Sequence, residues 1–255
     1  MKFTKPHFIA SLSSEAQEQK KLLISKYGDF DENDSDIFIV LGGDGFMLQV
    51  IKDFMDKKVP FFGINYGSIG FLMNAVSTDD LLTRLEKTQS VQLSPLIMTV
   101  YDQDDKFHTA KAINEVSLLR QTHQAAKLKV FIDDKVRLDE LICDGILLAT
   151  PSGSTAYNLS AHGPILSIES NDLALTPISA FRPRRWKGAI LNNKSVVKLE
   201  ILENVKRPVS ATADNLEVRN VKSISIQQDL SSKIILLYDS DHSFEERILN
   251  EQFKY

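Results

Sequence analysis

Residues 42–45 read Gly-Gly-Asp-Gly, a single carboxylate set among glycines. They follow a continuous apolar run, Ile37 to Leu41, and precede apolar residues at helical spacing, so the turn hands a strand over to a helix. Gly42, Gly43 and Gly45 present backbone N–H groups with no Cβ in the way, a loop that admits a phosphate or a ribose. Asp44 repels a phosphate. Its chemistry at such a place is to accept a proton from a hydroxyl or to hold a cation, and the plainer alternative is a cap for the helix that follows. The dinucleotide fingerprint GxGxxG does not fit, because no glycine falls in the first helical turn, and no GK[ST] is present. Rossmann dehydrogenase and P-loop chemistry are thereby disfavoured.

Three further stretches carry reactive or recognition groups. "GINYGSIGFLMN", Gly63 to Asn74, follows a strand and suits a wall for a flat ring, with Phe71 exposed; it also reads as a simple loop. Asn114-Glu115 interrupts a strand-like run with two polar side chains that point to opposite faces. "CDGILLATPSGSTAYNLSAHGPIL", Cys143 to Leu166, runs from a strand into a turn rich in hydroxyl side chains and exposed amides. Those groups can hydrogen-bond a base edge, and Tyr157 offers a stacking face. The segment is not a nucleophile elbow, since no GxSxG exists, and a capped turn is its structural alternative. The cluster Arg182-Pro-Arg-Arg-Trp-Lys187 is either a solvated loop or a source of positive charge for phosphates.

The elements that must position these groups change character near Ser94. Before it, strand and helix signals alternate: "HFIASL", a helix from Ser13 or Ser14 closed by Gly28, the strand "DIFIVLGG", a helix burying Phe46, Met47, Val50, Ile51, Phe54 and Met55, the strand "VPFFGINYG", and a helix "STDDLLTRLEKTQ" capped by Ser77 or Thr78. That rhythm predicts a small parallel sheet covered by helices, an α/β domain of Rossmann-like build over residues 1–93. Residues 94–238 read as short strands with tight turns, including a hairpin at Asp133-Asp134 and a strand "KIILLYD", which predicts an all-β, sandwich-like domain. Residues 239–255 read as a helix returning to the first domain. The two domains are expected to be directly apposed, with a cleft.

Composition is that of an ordinary globular chain: 255 residues, 43% hydrophobic, 25% charged, net charge −4. There is no basic footprint for nucleic acid. One cysteine excludes an internal disulfide and a cysteine-rich zinc site, and the five histidines lack metal-ligand spacing. No apolar run reaches the ~18 residues of a membrane span, and the first residues do not read as a signal peptide. A cytoplasmic location is expected.

Together, GGDG at 42–45, "NYGSIGFL" at 65–72, Asn114-Glu115 and "DGILLATPSGSTAYNLSAHGP" at 144–164 resemble the ATP-NAD kinase family. GGDG alone is shared with lipid kinases and phosphofructokinases; "TPSGSTAYN" after an Asn-Glu pair makes the resemblance specific, and it covers nearly the whole chain. It implies transfer of the ATP γ-phosphoryl group to the 2′-hydroxyl of the adenosine ribose of NAD, giving NADP. It implies Asp44 as general base, with the amides of Gly42, Gly43 and Gly45 on phosphate oxygens and a divalent cation, Mg2+, arriving with ATP. NAD contacts would come from Asp44, Gly45, Phe71, Asn114, Glu115, Ser152, Thr155, Ala156, Tyr157, Asn158, Ser160 and Asn215. Asp144 and Ala180 would reach the dinucleotide from a neighbouring chain, so the site would be shared within a homotetramer or dimer. No residue is assigned as a direct metal ligand. A lipid or sugar kinase of the same superfamily and a non-catalytic NAD(P)-sensing module are the competing readings; the first lacks support in "TPSGSTAYN", the second is disfavoured by an intact Asp44.

Overall fold

The computed structural model describes residues 3–67, 70–77 and 80–240, together with 246 and 253. The chain divides into two compact units, Met1–Leu93 with Ser232–Tyr255, and Ser94–Ser231.

In chain order the first unit begins with β1 (Pro6–Ala10), α1 (Ser14–Tyr27), β2 (Ile37–Gly42), α2 (Asp44–Phe54) and β3 (Phe61–Asn65). It continues with α3 (Leu81–Glu86) and β4 (Gln89–Leu93). The second unit holds β5 (Leu96–Asp102), β6 (Phe107–Ala112), β7 (Glu115–Arg120), β8 (Ala126–Ile132), β9 (Lys135–Cys143) and β10 (Gly145–Ala149). The short α4 (Tyr157–Ser160) follows, then β11 (Asp172–Ile178), β12 (Ala189–Asn192), β13 (Val197–Ile201), β14 (Val209–Ala213), β15 (Leu216–Val218) and β16 (Val221–Gln228). The last described strand is β17 (Ile234–Tyr238).

The first unit's sheet has the order β1-β2-β3-β17-β4. β1, β2, β3 and β17 run parallel, and β4 closes one edge antiparallel to β17. Every residue of β2 is buried, as its unbroken apolar run requires of a central strand covered on both faces. α1 starts where expected: the Ser13 side chain accepts from the Ala16 amide, and Gly28 ends the helix at φ +75° with its N–H on Ile24 O. α2 buries Met47, Val50 and Ile51, with Met55 just beyond it. α3 departs from expectation. Its cap is Asp80, whose carboxylate accepts from the Thr83 amide, so the helix begins later than a Ser77 or Thr78 cap would place it.

The second unit consists of two six-stranded antiparallel sheets, β12-β11-β10-β7-β14-β15 and β6-β5-β16-β13-β8-β9. Alternating residues of both, among them Val100, Leu118, Val130, Leu148, Leu199 and Ile224, form one apolar core. This is the sandwich the strand pattern predicted. Asp133 and Asp134 both take positive φ, 51° and 60°, as a two-residue hairpin between β8 and β9 demands.

Two expectations need correction. β17, read as part of the β domain, is a strand of the first sheet, paired with β3 and β4, so the second unit ends before it. Its apolar run suits either sheet, and only long-range pairing decides. β4, β11 and β12 are strands that the sequence pattern does not predict; β4 begins at Gln89, the last residue of the expected helix "STDDLLTRLEKTQ". The expected helix over 239–255 falls almost wholly outside the described residues.

Candidate active site

Asp44 is the first residue of α2, with Gly43 as the extended N-cap. Its side chain reaches away from α2 to a distant stretch of the first unit. Oδ2 accepts from the Phe71 amide at 2.6 Å and Oδ1 from the Leu72 amide at 3.0 Å. Both donors lie just after Gly70, in the stretch between β3 and α3. Two charge-assisted bonds fix the carboxylate in place, and the N-terminal end of α2 adds a favourable field for negative charge.

The glycines do different work from one another. A Cβ on Gly67 would crowd the Gly43 Cα at 3.2 Å, whereas one on Gly43 itself would only touch the Gly67 Cα at 3.8 Å. A Cβ on Gly42 would meet the Phe46 ring at 2.8 Å. Gly45 is exposed and has nothing within 4 Å of its Cβ direction, so it is the position of the three open to a ligand. Gly70 was not singled out as a site residue, yet a Cβ there would fall 2.2 Å from Asp44 Oδ1.

The loop carrying Phe71 and Leu72 is tied to the sheet by Asn74, which is fully buried. Its Nδ2 donates to Gly63 O and Leu237 O, each at 3.0 Å, and its Oδ1 accepts from the Asp239 amide at 3.2 Å. Arg84 pairs with Asp239 and donates to Ala75 O at 2.6 Å.

In the second unit, antiparallel register brings three separated segments together. Ala149 lies opposite Glu115, so Thr150 leaves β10 beside Asn114. Ala213 lies opposite Val116, so the Asp214-Asn215 turn arrives at the same place from the other side. Ser152, Ser154 and Thr155 are buried in a 3-10 turn, while Ala156 and Tyr157 are half-buried and Ser160 is exposed. The Tyr157 phenol is pushed above its ordinary pKa by burial and, secondarily, by the Glu115 charge. Tyr157 and Ala161 pack on Leu147, Ala149, Leu166 and Ala174, on the sheet face opposite the sandwich core.

Asn158 sits differently from its neighbours. It has no exposure, its Nδ2 donates to Ser154 O and Pro164 O, and its Oδ1 accepts from Thr176 Oγ1 at 2.7 Å. That side chain holds the turn in shape. Asp144 pairs with Arg120 Nε at 2.6 Å and stays 42% exposed. Ala180 is half-buried and Asn215 exposed. Beside Ala180, the cluster starting at Arg182 is anchored by its backbone to Ile142 of β9, and Arg182 and Arg184 lie over the Phe181 ring. Among the described residues no group of three or more His, Cys, Asp or Glu side chains could hold a metal ion, and no helix is long and apolar enough to cross a membrane.

A glycine-cornered, mostly parallel sheet with a fixed carboxylate, followed by a β-sandwich bearing a polar turn, defines a two-unit nucleotide-kinase architecture. Residues 2–90 match the ATP-NAD kinase N-terminal domain and residues 113–228 the ATP-NAD kinase C-terminal domain. The chain belongs to the NAD kinase family. It is 52% identical to the NAD kinase of Caulobacter vibrioides over 250 residues, 98% of this chain and 96% of that one. It is equally identical to that of Rhizobium meliloti over 252 residues, 99% and 98% of the two chains. In fold it is similar to a yeast NADH kinase complexed with NADH, at TM-score 0.77 and 20% identity over 98% of this chain and 87% of that one. It is also similar to an Archaeoglobus fulgidus NAD kinase in complex with ATP, at TM-score 0.76 and 20% identity over 97% and 98%.

Proposed function

We propose that the chain phosphorylates the 2′-hydroxyl of the adenosine ribose of NAD with ATP, forming NADP, and that Asp44 is the general base. The observation that carries this reading is the Asp44 carboxylate held by the Phe71 and Leu72 amides at the start of α2. A carboxylate oxygen can accept more than one hydrogen bond, so anchoring by the two amides is compatible with contact to a hydroxyl. Asp44 takes the 2′-hydroxyl proton as O2′ bonds to the γ-phosphorus and the bond from that phosphorus to the β–γ bridging oxygen breaks, releasing ADP. The exposed Gly45 and the amides at the N-terminus of α2 suit phosphate oxygens. Mg2+ enters with the ATP phosphates, as part of that substrate.

In the second unit, Asn114, Glu115 and Tyr157 present a carboxamide, a carboxylate and a ring to the adenosine, with Ser152, Thr155, Ala156 and Ser160 around them. Asn158 acts from behind, on the shape of the turn. Asn215 is a further contact. Asp144 and Ala180 serve the dinucleotide of a neighbouring chain in a homotetramer or dimer; the exposure of Asp144 supports this, and light scattering of the purified protein tests it. A reducing, cytoplasmic setting is consistent with the free, buried Cys143.

The deciding experiment incubates purified protein with ATP, Mg2+ and NAD and follows NADP. Asp44→Asn is expected to lower kcat by about three orders of magnitude or more while NAD still binds. Near-normal turnover by that variant rejects Asp44 as the base.

A further inference from the structure

The turn between β14 and β15 contains a residue that sequence reasoning passed over. Asp214, at φ +51°, points its carboxylate at the start of β7. Oδ2 accepts from the Ile113 amide at 2.8 Å, and Oδ1 from the Asn114 and Glu115 amides at 3.0 and 3.3 Å. The Asp214 amide in turn donates to Glu115 O at 3.1 Å. Successive N–H groups converging on one point form a nest of the kind that elsewhere binds a phosphate. Here the chain supplies the anion itself, so this nest is spent on the protein and not on a ligand.

The opposite side of the same segment is held as firmly. Thr150 Oγ1 donates to Ile113 O at 2.7 Å, and the Thr150 amide donates to Asn114 O at 2.9 Å. Thr150 Oγ1 also accepts from the Gly153 amide at 3.1 Å, which joins this segment to the 3-10 turn. At Gly153 a Cβ would collide with Asn114 O at 2.1 Å. The Asn114 peptide is thus gripped through its N–H by Asp214 and through its carbonyl by Thr150.

We infer that Asp214 is a positioning residue for dinucleotide binding: it clamps residues 113–115 against Thr150 and so sets the direction of the Asn114 and Glu115 side chains. This rests on the reading that Asn114 and Glu115 contact the adenosine. Both are half-buried, so their side chains cannot recover the required geometry by swinging freely in solvent. Replacing the carboxylate by a carboxamide removes the charge that strengthens all three bonds and turns an NH2 group toward an amide N–H.

The test measures NAD affinity by calorimetry, and kcat with the KM values for NAD and ATP, in Asp214→Asn, Asn114→Ala, Glu115→Gln and the Asp214→Asn/Asn114→Ala double variant. Asp214→Asn is expected to weaken NAD binding and raise its KM about 10- to 100-fold, with kcat and the KM for ATP within about threefold. In the double variant the two losses should fall well short of multiplying, because one acts through the other. If Asp214→Asn does not fold, Thr150→Val, which loosens the carbonyl side at nearly equal volume, carries the same expectation. An Asp214→Asn or Thr150→Val protein with an altered Tm but unchanged NAD affinity, beside Asn114→Ala and Glu115→Gln proteins that lose it, overturns the clamp and leaves the adenosine contacts standing. Unchanged NAD affinity in Asn114→Ala and Glu115→Gln overturns those contacts and the clamp with them.

Discussion

Gly70 and Asp44 are fitted to one another across the first unit's corner. The Asp44 carboxylate occupies the space a side chain at position 70 would need, with Oδ1 only 2.2 Å and Oδ2 2.6 Å from an ideal Cβ there. Beyond Gly70 the Phe71 and Leu72 amides donate to that same carboxylate. The loop can approach closely enough to orient the base because residue 70 is glycine.

Gly70→Ala should therefore damage turnover far more than folding. The added methyl must push either the loop or the carboxylate by roughly 1 Å, a displacement that costs about 100-fold in a positioned catalytic group. Steady-state kinetics beside a thermal melt check this: kcat drops by about that factor while Tm moves by only a few degrees. An unaltered kcat means that the base does not depend on the loop.

Asn74 is expected to be a stability residue for the same loop. Its amide satisfies two buried carbonyls and one backbone N–H that come from β3, β17 and the residue after β17. Asn74→Ala removes these side-chain bonds, although Gly63 O keeps the backbone amide of residue 74, and should cost about 2 kcal/mol. Urea denaturation followed by circular dichroism measures it, and a loss under about 0.5 kcal/mol contradicts the network.

Asn158 and Ser160 belong to the same polar turn and should separate cleanly. Asn158→Ala removes bonds to Ser154, Pro164 and Thr176 inside the unit and should lower stability by about 2–3 kcal/mol. Ser160 is exposed, so Ser160→Ala should leave stability within about 0.5 kcal/mol and change only NAD affinity. Equal stability of the two variants refutes the division of labour.

Cys143 gives a pH-dependent prediction. Burial pushes its thiol from an ordinary 9.0 up to about 12, the Asp144 charge adding a little. The folded chain then keeps a proton that the unfolded chain releases. Stability is unaffected below about pH 9 and falls as pH rises from there toward about 12. The native thiol should resist a disulfide reagent at pH 8 and react once urea unfolds the chain. Cys143→Ser should flatten the alkaline part of the stability curve. Rapid labelling of native protein contradicts the burial.

Much of this was legible locally. Ser13 and Gly28 mark the ends of α1, and Asp133-Asp134 marks a two-residue hairpin, because caps and tight turns are decided by a few adjacent residues. The apolar run of β2 and the glycines after it announce a buried strand and a strand–helix corner. The later cap at Asp80 was harder, since Ser77 and Thr78 offered equally good cap chemistry a few residues earlier.

What the chain by itself determined is the inventory: a lone carboxylate in a glycine corner, an Asn-Glu pair, a hydroxyl-rich turn, and two stretches of different periodicity to carry them. Tertiary structure alone decided the pairings. It placed β17 beside β3, brought Phe71 and Leu72 amides to Asp44, sent Asn158 inward, and closed Asp214 on residues 113–115. Side-chain type and short spacing act over a turn or two of chain and can be read directly. A contact between positions about a hundred residues apart depends on sheet register, which the whole set of strands settles together.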